Sequence, residues 1–116
     1  LKLFEEVLEQ NPQMDGIRPL YATFLANYGL VEKARSQLTE KAKNIAKADH
    51  DIAYWMAMAN AQLGEIDEAF KWLERAVRLG YENVHWFMRD EMLAPLRKDP
   101  RFDEIIQKIN QSKSES

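Results

Sequence analysis

Two stretches of this 116-residue chain repeat at an offset of 35. The shift pairs Ala22 with Ala57, Ala26 with Ala61, Gly29 with Gly64, Ala34 with Ala69 and Leu38 with Leu73. A period between about 20 and 50 residues marks architectures in which one supersecondary unit is stacked on the next. Tyr28 and Leu63 precede the two glycines, so each unit reads as a helix, a Gly-containing turn and a second helix. The recurring residues are small where two packed helices must come close. A larger side chain there would overpack the contact at a cost of about 1–3 kcal/mol.

The elements on either side follow from periodicity and caps. Leu1 to Gln10 places Leu1, Phe4 and Leu8 on one helical stripe with Leu3 and Val7 beside it, and the helix stops before Asn11-Pro12. Asp15 is expected to cap a helix reaching Tyr28, with Pro19 in its first turn. Val31 to about Ala46 is expected to be one partner helix. Asp49 or Asp51 caps a helix from Ile52 to Leu63 whose only polar residues are Asn60 and Gln62. A helix that is apolar all round must be covered on most sides, so this one is the expected centre of the domain. Ile66 to Leu79 supplies its amphipathic partner. After Gly80 the period decays into short pieces capped by Asp90 and Asp99, with Pro100 at a first helical position and Ile105, Ile106 and Ile109 closing the open end. Asn110 to Ser116 has nothing to bury and is expected to be disordered.

Charge and composition remove several function classes. Sixteen Lys and Arg stand against nineteen Asp and Glu, for a formal charge of −3, and the acidic excess lies between residues 50 and 83. Nucleic-acid binding needs a basic stripe to displace counterions from phosphates, and none is found. The longest apolar run, Ile52 to Ala59, is far short of the roughly 20 residues that span a bilayer. With no Cys there are no disulfides, thiolate metal sites or cysteine nucleophiles, a composition compatible with the cytoplasm. The chain opens at Leu1 without a Met, so a longer parent protein is an expectation here.

Leu63-Gly64, Asp67-Glu68-Ala69-Phe70 and Leu73-Glu74-Arg75-Ala76, with Tyr81 where a Pro is frequent, resemble the tetratricopeptide repeat (TPR) family. The first unit matches at Ala22, Gly29, Ala34 and Leu38, but has Lys41 where a small residue is usual. Phe4, Val7 and Pro12 look like the end of a preceding unit. The resemblance implies an all-α fold: antiparallel helix pairs stacked as a TPR-type α-solenoid fragment with C-terminal capping helices. Its parts are 1–12 as the end of a preceding repeat, 15–48 and 50–83 as repeats, 84–109 as a degenerate repeat and cap, and 110–116 as a tail. The ending Pro95 to Phe102 is similar to one that closes TPR regions in bacterial multidomain signalling proteins. That likeness implies a protein-interaction module within a larger protein.

By the same resemblance, the concave face carries Thr23, Asn27, Tyr54, Met58, Ala61 and Gln62, continued by Met88 and Met92. Met and Tyr suit an adaptable apolar groove for a helix or an extended peptide; the alternative is that Met58, Met88 and Met92 fill the core. An acidic-tail clamp is not expected, because Ile52 to Leu63 has no Lys or Arg and the preceding inner helix has only Arg18. Trp55, Trp72 and Trp86 read as packing between repeats. His50 and His85 are also 35 apart, yet neither belongs to a one-turn ligand pair, so no metal or other cofactor is expected. No nucleophile turn, paired catalytic carboxylates or phosphate-cradling glycines are found, so the expectation is a protein or peptide partner and no catalysis. A second expectation is weak self-association through Leu3, Phe4, Val7 and Leu8, whose own helical partner is missing.

Overall fold

Gly29 and Gly64 both have left-handed backbones, φ 85° and 78°, which an L side chain rarely adopts. Each ends a helix in the same way. The amide of Gly29 donates to Ala26 O and that of Leu30 to Leu25 O; the amides of Gly64 and Glu65 repeat this with Ala61 O and Asn60 O. This paired termination satisfies the orphan carbonyls of a helix and reverses the chain, so the offset of 35 seen in the residues is an offset of 35 in the turns.

The computed structural model describes residues 1–115, and they are all-helical, with no strand among them. The elements are α1 (Lys2–Gln10), α2 (Arg18–Asn27), α3 (Val31–Gln37), α4 (Glu40–Ala46), α5 (His50–Gln62), α6 (Ile66–Arg78), α7 (Val84–Arg89) and α8 (Pro100–Glu115). Two 3₁₀ segments, Asp15–Ile17 and Glu91–Leu96, precede α2 and α8.

Helix α5 occupies the centre. It packs against α2, α4, α6 and the Glu91–Leu96 segment, and eight of its thirteen residues are buried. Ala22, Ala26, Ala34, Ala57, Ala61 and Ala69, the small residues of the repeat, are all buried. Asp49 caps α5 by accepting from the amides of Asp51 and Ile52. At the far end, Leu93, Leu96, Phe102, Ile105 and Ile109 seal the same core. Arg101 fastens α8 there: it pairs with Asp67 and Asp99, and its guanidinium sits 4.4 Å from the centroid of Phe70.

Three expectations are corrected. The helix expected from Val31 to Ala46 is two, because at Leu38–Thr39 the Thr39 hydroxyl accepts from the Ala42 amide and starts a new helix. This break accompanies a one-residue shift. Lys41, equivalent by the offset to buried Ala76, reaches solvent, and Ala42 takes the inward place. Second, Asp15 does not cap with its side chain. Its carboxylate instead faces Arg18 at 2.9 Å and Lys41 at 3.4 Å, and the Arg18 guanidinium holds its pKa below the ordinary value. Third, the expected disordered tail 110–116 is helical through Glu115, with Lys113 donating to Glu82 O; Ser116 lies outside the described residues.

At the other end of the domain, α1 lies on α2 through Phe4, whose ring is 5.2 Å from Tyr21 and 5.8 Å from Phe24. Glu5 accepts from the Tyr21 hydroxyl and from Lys33. No residue of α1 is buried, so this helix is the least covered of the set.

Replacing Ala57, fully buried on α5, with Leu is expected to lower unfolding stability by about 1–3 kcal/mol in urea titration. Ala48→Leu, at an exposed site, should leave the midpoint nearly unchanged.

Candidate binding cleft

Because α2 and α5 lie side by side, residues at equivalent positions share one surface. Leu20 and Trp55 are 35 apart, as are Thr23 and Met58, and all four line a cleft of about 420 Å³. Phe24 on α2 and Asp51 and Tyr54 on α5 complete that wall. The facing wall comes from Tyr81, Trp86, Arg89, Asp90, Glu91 and Met92, in and around α7 and the second 3₁₀ segment. A second cleft of about 340 Å³, lined by Met14, Gly16, Ile17, Asp49 and Ile52, shares Asp51 and Trp55 with the first. The two adjoin at those side chains.

The back of the cleft is held by interactions the sequence did not reveal. The buried Tyr54 hydroxyl donates to Asp90 Oδ2, while Asp90 Oδ1 accepts from the Met92 amide and caps the 3₁₀ segment. Burial, with the Asp90 carboxylate beside it, pushes the Tyr54 phenol far above its ordinary range. The Tyr81 ring lies 4.4 Å from Tyr54 and parallel to it, and Phe87 stacks on both at 5.3 to 5.5 Å. Arg97 donates to the carbonyls of Phe87 and Asp90 and fixes the turn from which Asp90 projects. Side chains 36 residues apart thus join the central helix to the closing segment.

Of the groove residues expected from the sequence, Thr23, Tyr54, Met58 and Met92 line the cleft. Two of these are already committed to the fold. Thr23 is fully buried and its hydroxyl donates to Pro19 O, and the Tyr54 hydroxyl is held by Asp90. Met58 is buried in the floor and Met92 is half-buried, so both are accessible to an occupant only at their edges. Ala61 is buried and is not part of the lining. Asn27 and Gln62 lie outside it as well: Asn27 donates to Gln62 at 3.1 Å and Gln62 donates to Met92 O at 3.0 Å, linking α2, α5 and the closing segment. Met88 is neither core nor lining, being 60% exposed outside the cleft.

The three tryptophans divide. Trp72 is buried as expected, Trp55 is half-buried with its ring on the cleft, and Trp86 is 48% exposed on the opposite wall, which corrects its reading as inter-repeat packing. Extending the offset to Leu20 and Trp55 would have found part of this surface. Trp86 and Glu91 had no such signal, since they follow the point where the period decays.

No family model, curated protein or solved structure significantly matches the chain. Among the described residues no cluster of three or more His, Cys, Asp or Glu is placed to hold a metal ion, and no helix is long and apolar enough to cross a membrane. His50 Nδ1 lies 3.2 Å from Asp51, and its ring meets the Tyr81 ring edge-on.

Tyr54→Phe removes a donor from a buried carboxylate and is expected to cost about 1–3 kcal/mol in chemical denaturation. Folding raises the Tyr54 pKa, so its contribution is complete below the ordinary value of about 10 and is lost as pH climbs beyond it. Stability of the parent protein should therefore fall between about pH 10 and pH 12, and more gently in Tyr54→Phe, when denaturation midpoints are compared across that range.

Proposed function

We propose that this chain is a protein-interaction module of the TPR type, which takes a segment of a partner protein into the cleft between α2, α5 and the α7–Leu96 region. The repeat supports the architecture: in both units the first helix ends in the same hydrogen-bonded turn, and Ala22, Ala26 and Ala34 are buried like their counterparts Ala57, Ala61 and Ala69. One observation carries the functional part of the reading. A largely apolar cleft opens between α2 and α5 on one side and the α7–Leu96 region on the other, with Trp55, Trp86 and Met92 left partly exposed. Aromatic side chains give large contact area at small entropic cost and methionine gives an adaptable apolar surface, the chemistry expected of a peptide-recognition surface.

Selection of short peptides from a displayed random library tests this. Binders should shift the amide resonances of Met58, Trp86 and Met92, and Trp86→Ala should weaken them about fivefold or more while leaving the thermal midpoint in place, since the ring is half in solvent. Failure to select any binder, or shifts confined to α3, α4 and α6, would overturn the reading.

A second reading has its own observation. Leu3 is 71% exposed on α1, and Tyr28, Leu30 and Val31 are exposed at the α2–α3 turn, so apolar surface remains uncovered at this end. Phe4, Val7 and Leu8 are half-buried, and Phe4 rests on Tyr21 and Phe24, which leaves Leu3 as the main open position of the expected patch. On this reading the end supports self-association. Sedimentation velocity over a range of concentrations should then show a reversible dimer that Leu3→Glu abolishes; a monomer at every concentration argues against it.

A further inference from the structure

From the charge that the cleft leaves unmatched, we infer that its occupant is a cationic segment of a partner protein, with Lys or Arg side chains flanking apolar anchors. The inference rests on the cleft being a peptide site at all. Along the two adjoining clefts the carboxylates are Asp49, Asp51, Asp90 and Glu91, against a single cation, Arg89.

These carboxylates are not equally free. Asp90 is held by Tyr54 and the Met92 amide, and one oxygen of Asp49 caps α5. Among the described residues Asp51 has His50 as its one ion-pair contact, and Glu91 forms no ion pair. The side built by α3, α4 and α6 is different. There Arg35, Lys43 and Lys71 each face a glutamate of the same protein, namely Glu65, Glu40 and Glu68. Those three cations are matched internally, whereas Arg75 and Arg78 of α6 form no ion pair among the described residues; on the cleft, neither Asp51 nor Glu91 pairs with a Lys or Arg.

The positions of the charges favour a side-chain cation. Asp51 sits where the two clefts meet, next to the Trp55 ring, and Glu91 shares the facing wall with Trp86. An ammonium or guanidinium there gains a carboxylate and the face of an indole together. An acidic segment would find only Arg89 and would meet Asp51 and Glu91 as like charges. The apolar floor around Met58, Leu20 and Met92 accepts the uncharged part of the same segment.

Three synthetic peptides with identical apolar residues, and with Arg, Gln or Glu at every polar position, test this on the full chain. Binding is read by tryptophan fluorescence and mapped by amide resonances. The Arg peptide should bind about tenfold tighter than the Gln peptide at low salt, the Glu peptide more weakly still, and the ratio should shrink as salt is raised. Asp51→Asn with Glu91→Gln should reduce the Arg-peptide affinity at least fivefold, and Arg89→Gln should increase it. Glu9→Gln with Glu104→Gln changes net charge equally at exposed sites away from the cleft, and should leave binding nearly intact. Equal affinity of the Arg and Gln peptides at the cleft would overturn the cationic occupant while leaving the peptide site standing. Equal losses in the two charge-neutralising pairs would also overturn it, because the attraction would then be diffuse. No peptide perturbing Met58, Trp55 or Trp86 would remove the peptide site itself, and shifts there that grow with protein concentration alone would point to a second copy as occupant.

Discussion

The close approach of α5 to its neighbours is the constraint on which the rest of the structure depends. A helix with Ile52, Tyr54, Trp55, Met56 and Met58 between its alanines is apolar on nearly every side, so most of it must be covered. Ala53, Ala57 and Ala61, the small residues along it, are all buried. Native interiors pack at crystal-like density, so an added methylene at such a contact forces either the backbone or a rotamer to move. Gly16 shows how tight the neighbouring region is: a Cβ built there would meet Ile52 at 3.0 Å. The small residues are therefore conditions for the stack to form, and the larger side chains fill what the stack encloses.

What was legible in the residues is what this constraint writes locally. Ala and Gly at contact points and turns, Asp49, Asp90 and Asp99 at helix starts, and Pro100 in a first turn each carry their reason within a few positions of themselves. The break at Leu38–Thr39 was not legible, because a Thr inside an otherwise helical run can either continue the helix or cap a new one. Lys41 was a hint: a long cation at an expected contact position signals that the phase has changed. The end of α8 went unread for a related reason. Asn110 to Lys113 bury nothing, so their helix rests on continuity with Ile105 and Ile109 rather than on any apolar pattern of their own.

Long-range polar pairing was the least legible layer. Tyr54 and Asp90 were each read correctly for their helices, but nothing in either segment indicated the other. Their hydrogen bond exists because the chain after Gly80 folds back across α5, and Tyr81 and Phe87 complete the aromatic layer that the fold-back creates. Where the repeat decays, the sequence stops repeating but the requirement to cover α5 does not. The decayed segment meets that requirement with a stacked ring trio and a buried carboxylate instead of an alanine contact. A buried carboxylate is tolerable only with its acceptors filled, and the Tyr54 hydroxyl and the Met92 amide fill them.

This division of labour also bears on recognition. Thr23, Tyr54, Ala61 and Gln62 are positions that the family resemblance points to along α2 and α5, and in this chain each is occupied by an internal contact or buried. A residue already satisfied within the fold gains little from a partner, because a new hydrogen bond would have to replace an existing one. The side chains left over, Trp55, Trp86, Met92, Asp51, Glu91 and Arg89, lie on the cleft walls rather than at its back. Their chemistry is two indoles, a thioether, two carboxylates with no Lys or Arg partner among the described residues and one guanidinium, a set suited to discrimination by charge and ring contact more than by directed hydrogen bonds. If the proposed peptide segment occupies the cleft, selectivity built this way would tolerate variation in its backbone while penalising the wrong sign of charge, since like charges brought together in a partly desolvated cleft repel strongly. The structural role of the back of the cleft and the electrostatic character of its walls therefore have one origin: covering α5 uses Thr23, Tyr54, Gln62 and the Asp90 carboxylate, and leaves Asp51 and Glu91 facing out.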